Sequence, residues 1–248
     1  MKKALILLLF YLGYQLVIGL LMSAITMIWH IDTATQLGCT LLLSGLAMTI
    51  HLITIGGVNI KETLRPVSPN IMLYGIACIV GSMVCCNALN ELVSLPDWLE
   101  EDFTALSHNW LGAISIALMA PWVEELLFRG AIMPSLSKKG TAPWRGIFLS
   151  SLLFGLIHVN PAQVLFAIPM GIAFGWIVWR TGSLLTAIIG HTLNNSFGVL
   201  TLLSTDYDSW AIEDGMSSPS TLLIMVAIGL LVTILASRKI LQLTPNIS

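Results

Sequence analysis

Apolar windows recur along the chain at about 4–29, 34–56, 70–94, 110–133, 146–160, 162–179, 184–203 and 219–236, separated by short polar stretches. A helical membrane span needs roughly 20 mostly apolar residues. Eight spans would use about 160 residues and leave about 88 for connections. The pattern predicts an all-α fold: a polytopic membrane helix bundle of about eight transmembrane helices, forming a single integral-membrane domain over residues 1–248. No separate soluble domain fits between the windows, so any activity belongs inside the bundle. Gly171 and Gly175 form a small-xxx-small pair that suits close helix packing.

Composition narrows the class. Of 248 residues 56% are hydrophobic and 10% are charged, against about 25% charged in soluble domains. An ordinary soluble enzyme and a disordered protein are both excluded. A net charge of −2 gives no basic footprint for a nucleic-acid partner. Lys2 and Lys3 before an apolar run resemble a signal peptide, but the run continues to Ile28 with no clear cleavage site. It reads as a retained first span. Cys39, Cys78, Cys85 and Cys86 lie in apolar stretches without a C-x-x-C pair and read as small buried hydrophobes.

The charges sort by side. With a cytoplasmic N-terminus, the inside segments carry Lys2, Lys3, Lys61, Arg65, Lys138, Lys139, Arg145, Arg180, Arg238 and Lys239. The outside segments carry Asp32, Glu91, Asp97, Glu100, Glu101, Asp102, Asp206, Asp208, Glu213 and Asp214, with no Lys or Arg. Positive-inside asymmetry then puts both termini in the cytoplasm. The loops at about 95–109 and 204–218 read as acidic and solvated. Trp29, Trp98, Trp110, Trp144, Trp179 and Trp210 fall near span ends and fit an interfacial belt. His30, His51 and His108 also lie near ends and read as interfacial and solvated.

Three ionisable residues resist this sorting: Glu124, Glu125 and Arg129, all in the fourth window. The fifth window adds His158 and the seventh adds His191. A charge at mid-membrane costs roughly 2.5–3.5 kcal/mol on insertion scales, faces the bundle interior and marks function by default. Glu125 and Arg129 are i,i+4 in the favoured order. Glu124 lies about 100° away around the helix and is freer to face a cavity. Pro121, one turn earlier, predicts a kink beside the acids. His191 and Asn195 share a face, as do Phe154 and His158. His158 lies about 20 Å from Arg145 along its helix, deeper than the other groups, unless the Asn160–Pro161 turn is recessed. The expectation is a cavity open toward the cytoplasm.

A carboxylate beside a neutral imidazole can activate water, and hydrogen-bond donors can stabilise the oxyanion formed on a peptide carbonyl. Glu124 with His158 would serve as base and water-positioner. His191 with Asn195 would stabilise the oxyanion, and Glu125 with Arg129 would orient the set. Glu124, His158 and His191 also match a common catalytic zinc set, so metal-activated and glutamate-activated water both stay open. A proton-coupled transporter and a non-catalytic immunity or scaffold protein are the competing classes.

At these residues the chain resembles the CPBP family, the CAAX-protease and bacteriocin-processing intramembrane endopeptidases, also called Abi. The family pattern of E-E-x-x-x-R, F-x-x-x-H and H-x-x-x-N reads here as Glu124-Glu125-Leu126-Leu127-Phe128-Arg129, Phe154-Gly155-Leu156-Ile157-His158 and His191-Thr192-Leu193-Asn194-Asn195. The likeness covers residues 118–200. It implies an eight-helix intramembrane protease that cleaves membrane-associated peptides or proteins near the cytoplasmic face, with zinc as a candidate cofactor and no nucleic-acid partner. It makes Glu124 and His158 the catalytic core, His191 and Asn195 the second half of the site, and Glu125 and Arg129 supporting residues. The compact chain resembles bacterial members, which implies a bacterial plasma (inner) membrane and either peptide processing or bacteriocin immunity.

Overall fold

A computed structural model describes residues 1–137, 143–204 and 218–245. Lys138, Lys139, Asp206, Asp208, Trp210, Glu213 and Asp214 lie outside the described residues. Every apolar window is a helix, and the described residues contain no strand. The order is α1 (Lys2–Trp29), α2 (Thr33–Thr54), the short α3 (Ile60–Thr63), α4 (Pro69–Val93), α5 (Glu100–His108), α6 (Trp110–Leu136), α7 (Trp144–Leu156), α8 (Pro161–Thr181), α9 (Leu185–Leu203) and α10 (Pro219–Leu243). The chain is an all-α membrane bundle.

Among the described residues, six helices, α1, α2, α4, α6, α8 and α10, are long and apolar enough to cross a membrane unaided. The remaining two windows carry polar chemistry. Helix α7 has 13 residues and is about 20 Å long, too short for a hydrocarbon core of about 30 Å. Its window was expected to run to 160, but the helix stops at Leu156 and a turn follows. Helix α9 is long enough, but His191, Asn194 and Asn195 dilute its apolar character.

Local signals explain the ends. Asp32 caps α2 by accepting the Thr35 N–H at 2.9 Å, which holds its carboxyl below the ordinary carboxylate range. Ser68 and Ser218 cap α4 and α10, each ahead of a first-turn proline. Gly182, at φ 64°, ends α8 in the left-handed conformation that glycine adopts without strain.

Alternating helix direction gives two faces. On the basic face the Ser183 hydroxyl donates to the Arg65 carbonyl at 2.6 Å and the Leu184 N–H to the Thr63 carbonyl at 2.8 Å. On the acidic face the Asn109 amide donates to Thr35 Oγ1 at 2.8 Å and the Asn160 amide to Asp97 Oδ1 at 2.7 Å. Helices α1 and α10 expose long apolar faces, including Leu9, Leu16, Leu20, Leu223 and Ile224, as lipid-facing helices must. The core centres on α6 and α8 and draws buried residues from α1, α2, α4, α7, α9 and α10.

Two expectations change. His51 is buried: its Nδ1 lies 3.1 Å from the Tyr14 hydroxyl and its ring 4.4 Å from that of Phe10. It is a packed residue of the α1–α2 contact, not a solvated one. The 95–109 segment is not simply a solvated loop, because α5 buries Leu106 and Ser107 while Glu100, Glu101 and Asp102 stay exposed. Wider π-helical turns at Ser115–Met119 and Leu126–Ile132 lie on either side of Pro121 and the two glutamates. Such turns in α-helices recur at functional sites. Close packing at Gly171 and Gly175 holds: an added Cβ would lie 2.9 Å from that of Ser151 at the first and 3.2 Å from Ile147 Cγ2 at the second.

Candidate active site

Helix α6 supplies both glutamates, and their neighbours separate them. Glu125 is fully buried. Its Oε1 accepts the Arg129 Nη1–H at 2.9 Å and the His191 Nδ1–H at 3.0 Å. Its Oε2 is buried without a hydrogen-bond partner among the described residues. Arg129 spends a second donor on the Gly171 carbonyl at 3.1 Å. Its guanidinium carbon lies 4.4 Å from the Phe154 ring centre, 5.3 Å from Phe174 and 5.9 Å from Phe128. One carboxylate and three ring faces compensate a cation that has left water. The glycine at 171 matters here, since an added Cβ would also lie 2.9 Å from Arg129 Nη2.

Glu124 turns the other way and lines a cavity of about 390 Å3. It makes no side-chain hydrogen bond among the described residues, and its nearest ionisable partner is His191, with Oε2 3.7 Å from Nε2. His191 thus touches both acids. Its Nδ1–H is spent on Glu125, which leaves Nε2 facing Glu124. The ring stacks on Phe174 at 4.9 Å and meets the edge of Phe154 at 5.8 Å.

His158 sits in the turn after α7. Its Nδ1 donates to the Phe154 carbonyl at 2.8 Å, so Nε2 carries the free lone pair of the neutral ring. Phe154 packs edge-on against His158 at 5.1 Å, and so joins both histidines and Arg129 through one ring. Val159, next in the turn, has φ 58°, rare for a β-branched residue. Asn160 is buried, accepts the Trp98 N–H at 3.1 Å and donates to Asp97, which ties the turn to the acidic-face segment.

The cavity brings together Glu124, His158, His191 and Asn195. Glu125 and Arg129 lie behind it. His191 bonds to Glu125, and His158 to the Phe154 carbonyl. The Asn195 amide donates to the Ile116 carbonyl at 3.0 Å and accepts from the Asn194 amide at 3.1 Å. Both asparagines line the cavity.

Sequence reasoning passed over Tyr11 and Gln15 of α1, Phe103 and Ser107 of α5, and Phe174 of α8, all in the wall. Phe103 and Ser107 fall on one side of a short amphipathic segment and could have been found that way. Tyr11 and Phe174 look like any aromatic in an apolar run. The direction of opening also differs from expectation. The walls run from Glu124 and His191 to α5 and the first turn of α8, toward the acidic face rather than the basic one.

Zinc would need its ligands gathered. The two free Nε2 atoms and the Glu124 carboxylate are suitable donors, but among the described residues no three His, Cys, Asp or Glu side chains are grouped to hold a metal ion.

Comparison with known proteins points to the same segment. Residues 106–197 match the family described as type II CAAX prenyl endopeptidase Rce1-like. The curated protein "Putative membrane peptidase YdiL" of Bacillus subtilis (strain 168) is 30% identical over 84 residues, 34% of either chain. The match therefore spans about a third of that relative's length. No solved structure matches. The family match spans all three motifs, from Glu124 to Asn195.

Proposed function

We propose that this chain is an intramembrane endopeptidase in which Glu124 activates water against a peptide carbonyl. The observation that carries the reading is the paired environment of the two glutamates: Glu125 is neutralised by Arg129 and His191, while Glu124 faces the cavity with no hydrogen bond and His191 Nε2 at 3.7 Å. That separation suits a bridging water better than a direct bond.

In this mechanism a water donates one O–H to Glu124 and the other to the free Nε2 of His191 or His158, and gives the first proton to Glu124. The water oxygen bonds to the carbonyl carbon. The resulting oxyanion accepts from the N–H of Asn195 or Asn194 that is not already donated within the protein. Glu124 then returns the proton to the amine nitrogen as the C–N bond breaks. The hydrogen-bond partners favour acceptor roles for both histidines, because each Nδ1–H is already given away. This moves oxyanion stabilisation from His191 to the asparagines. Glu125 and Arg129 position His191 from behind the cavity, and Phe154 packs against its ring from the cavity wall. No step is routed through a metal.

The reading rests on the cavity and on the matched family segment. The test is cleavage of a peptide library by purified protein, with Glu124→Ala in parallel. Loss of turnover in a folded variant is expected, and equal cleavage by both would refute the assignment. A chelator titration in the same assay addresses the metal: turnover lost to the chelator and restored by zinc would overturn the metal-free path.

A further inference from the structure

We propose that the cavity takes its substrate from the extracytoplasmic side: a membrane-anchored polypeptide whose scissile bond lies at the outer end of its hydrophobic span. This deepens the hydrolytic reading above and rests on it.

The argument has three steps. First, the cavity has a closed end. Below Glu124 and His191 lie Leu126, Leu127, Phe128, Arg129, Ile177 and Leu184, all 0–1% exposed. This layer separates the site from the face that carries Lys61, Arg65 and Arg180. Second, the cavity runs the other way. Its walls continue to Leu99, Phe103 and Ser107 of the α5 segment, Gln163 in the first turn of α8 and Leu202 in the last turn of α9. All of these belong to the face that carries Asp97, Glu100, Glu101 and Asp102. The buried Asn160 side chain, bonded to Asp97 and to the Trp98 N–H, fixes the His158 turn to that face.

Third, charge orients the two faces. Among the described residues, the connections and helix ends of the closed face carry Lys2, Lys3, Lys61, Arg65, Arg145, Arg180, Arg238 and Lys239, with Glu62 the one acid. The open face has no Lys or Arg among the described residues. Lys and Arg near span ends are retained in the cytoplasm, so the mouth faces away from it. The walls between mouth and carboxylate are largely apolar, including Leu41, Ile116, Phe166, Met170 and Val199. They suit an unwound hydrophobic stretch rather than a charged peptide. A prenylated C-terminus presented from the cytoplasm would meet the sealed layer instead.

The test separates sidedness from chemistry. In the full chain with Cys39, Cys78, Cys85 and Cys86 replaced by serine or alanine, Gln163→Cys marks the mouth and Lys61→Cys the opposite face. In intact cells a membrane-impermeant maleimide should label the first and reach the second only after permeabilisation. A permeant maleimide should label both, which verifies that each thiol is reactive. The reverse pattern overturns the proposal and leaves the hydrolytic reading standing. Two single-span substrates, cleavable at the outer or the inner end, are then compared with wild type and Glu124→Gln. Cleavage of the outer-end substrate alone, lost in Glu124→Gln, is expected. Cleavage of the inner-end substrate alone overturns the proposal. The expected labelling with neither substrate cut overturns the hydrolytic reading, and the substrate class with it.

Discussion

Two adjacent glutamates on α6 belong to two different regions of the bundle. Glu125 lies in a dry layer with Arg129 and Phe128, divided from the cavity by the rings of Phe154 and Phe174, where each charge has a partner at bonding distance. Glu124 lies in the cavity half, where no hydrogen bond holds its carboxylate and the walls reach toward an open face. A rotation of about 100° between consecutive helical residues divides them. The comparison teaches that a buried charge in a membrane can serve in either of two ways. One is compensated and fixes geometry. The other is left uncompensated, at a cost, where a reaction needs it. His191 joins the two regions by bonding to one acid and facing the other.

The strongest way to break this comparison is to neutralise each region in turn. Glu124→Gln should lower turnover by about 10²–10⁴-fold, the usual range for a lost general base, with the thermal midpoint in detergent unchanged. Steady-state cleavage and a melting curve check both halves of that statement. Arg129→Ala should do the opposite first. It leaves Glu125 as a buried, unpaired charge, which costs about 3–5 kcal/mol, so the midpoint should fall steeply and activity should fall with it. If Glu124→Gln unfolds the protein while Arg129→Ala melts normally, the two regions have been assigned the wrong way round.

A smaller change tests how tightly the dry layer is fitted. In Gly171→Ala the new methyl would sit 2.9 Å from Arg129 Nη2 and from Ser151 Cβ, and 3.1 Å from Ser151 Cα. The backbone contact cannot give way by rotating a side chain. Overpacking of this kind costs about 1–3 kcal/mol, visible as a lower midpoint. The same substitution at Gly198, inside α9 where an added Cβ meets nothing within 4 Å, should raise the midpoint slightly, since alanine favours a helix over glycine by about 0.5–1 kcal/mol. Equal effects at both glycines would mean that helix propensity, not fit around Arg129, sets the response.

The division between the regions was partly legible in the sequence. Spacing along one helix foretold the Glu125–Arg129 pair and the freedom of Glu124, because i,i+4 geometry is local. Charge sorting alone separates the two faces. What spacing could not give was contact between helices. His191 and Glu125 are 66 residues apart, and nothing in either motif says which acid the imidazole bonds. Phe174 was invisible because an aromatic in an apolar helix looks the same whether it packs against a neighbour or covers a guanidinium. The α5 roof was misread because its first turn is Glu100-Glu101-Asp102, which outweighed the apolar side behind it. His51 was misplaced because nearness to a window's end was taken for exposure, whereas Phe10 and Tyr14 on the neighbouring helix enclose it.

The finest test concerns the cavity half, where the comparison predicts strain that the dry layer lacks. Val159 holds φ 58° between His158 and the buried Asn160. Left-handed backbone costs an L-residue about 1–2 kcal/mol, and its side chain is 72% exposed, so packing repays little of that. Val159→Gly removes the strain, but glycine also gives the unfolded chain more freedom. The net gain should be under about 1 kcal/mol, a slight rise in the midpoint. Turnover should nevertheless fall modestly, because the freer turn holds His158 Nε2 less firmly toward Glu124. A rise in midpoint with undiminished turnover would mean that the Nδ1 bond to the Phe154 carbonyl alone positions His158. A fall in midpoint would mean that the surrounding contacts of Val159, rather than the tether at Asn160, hold the turn in place.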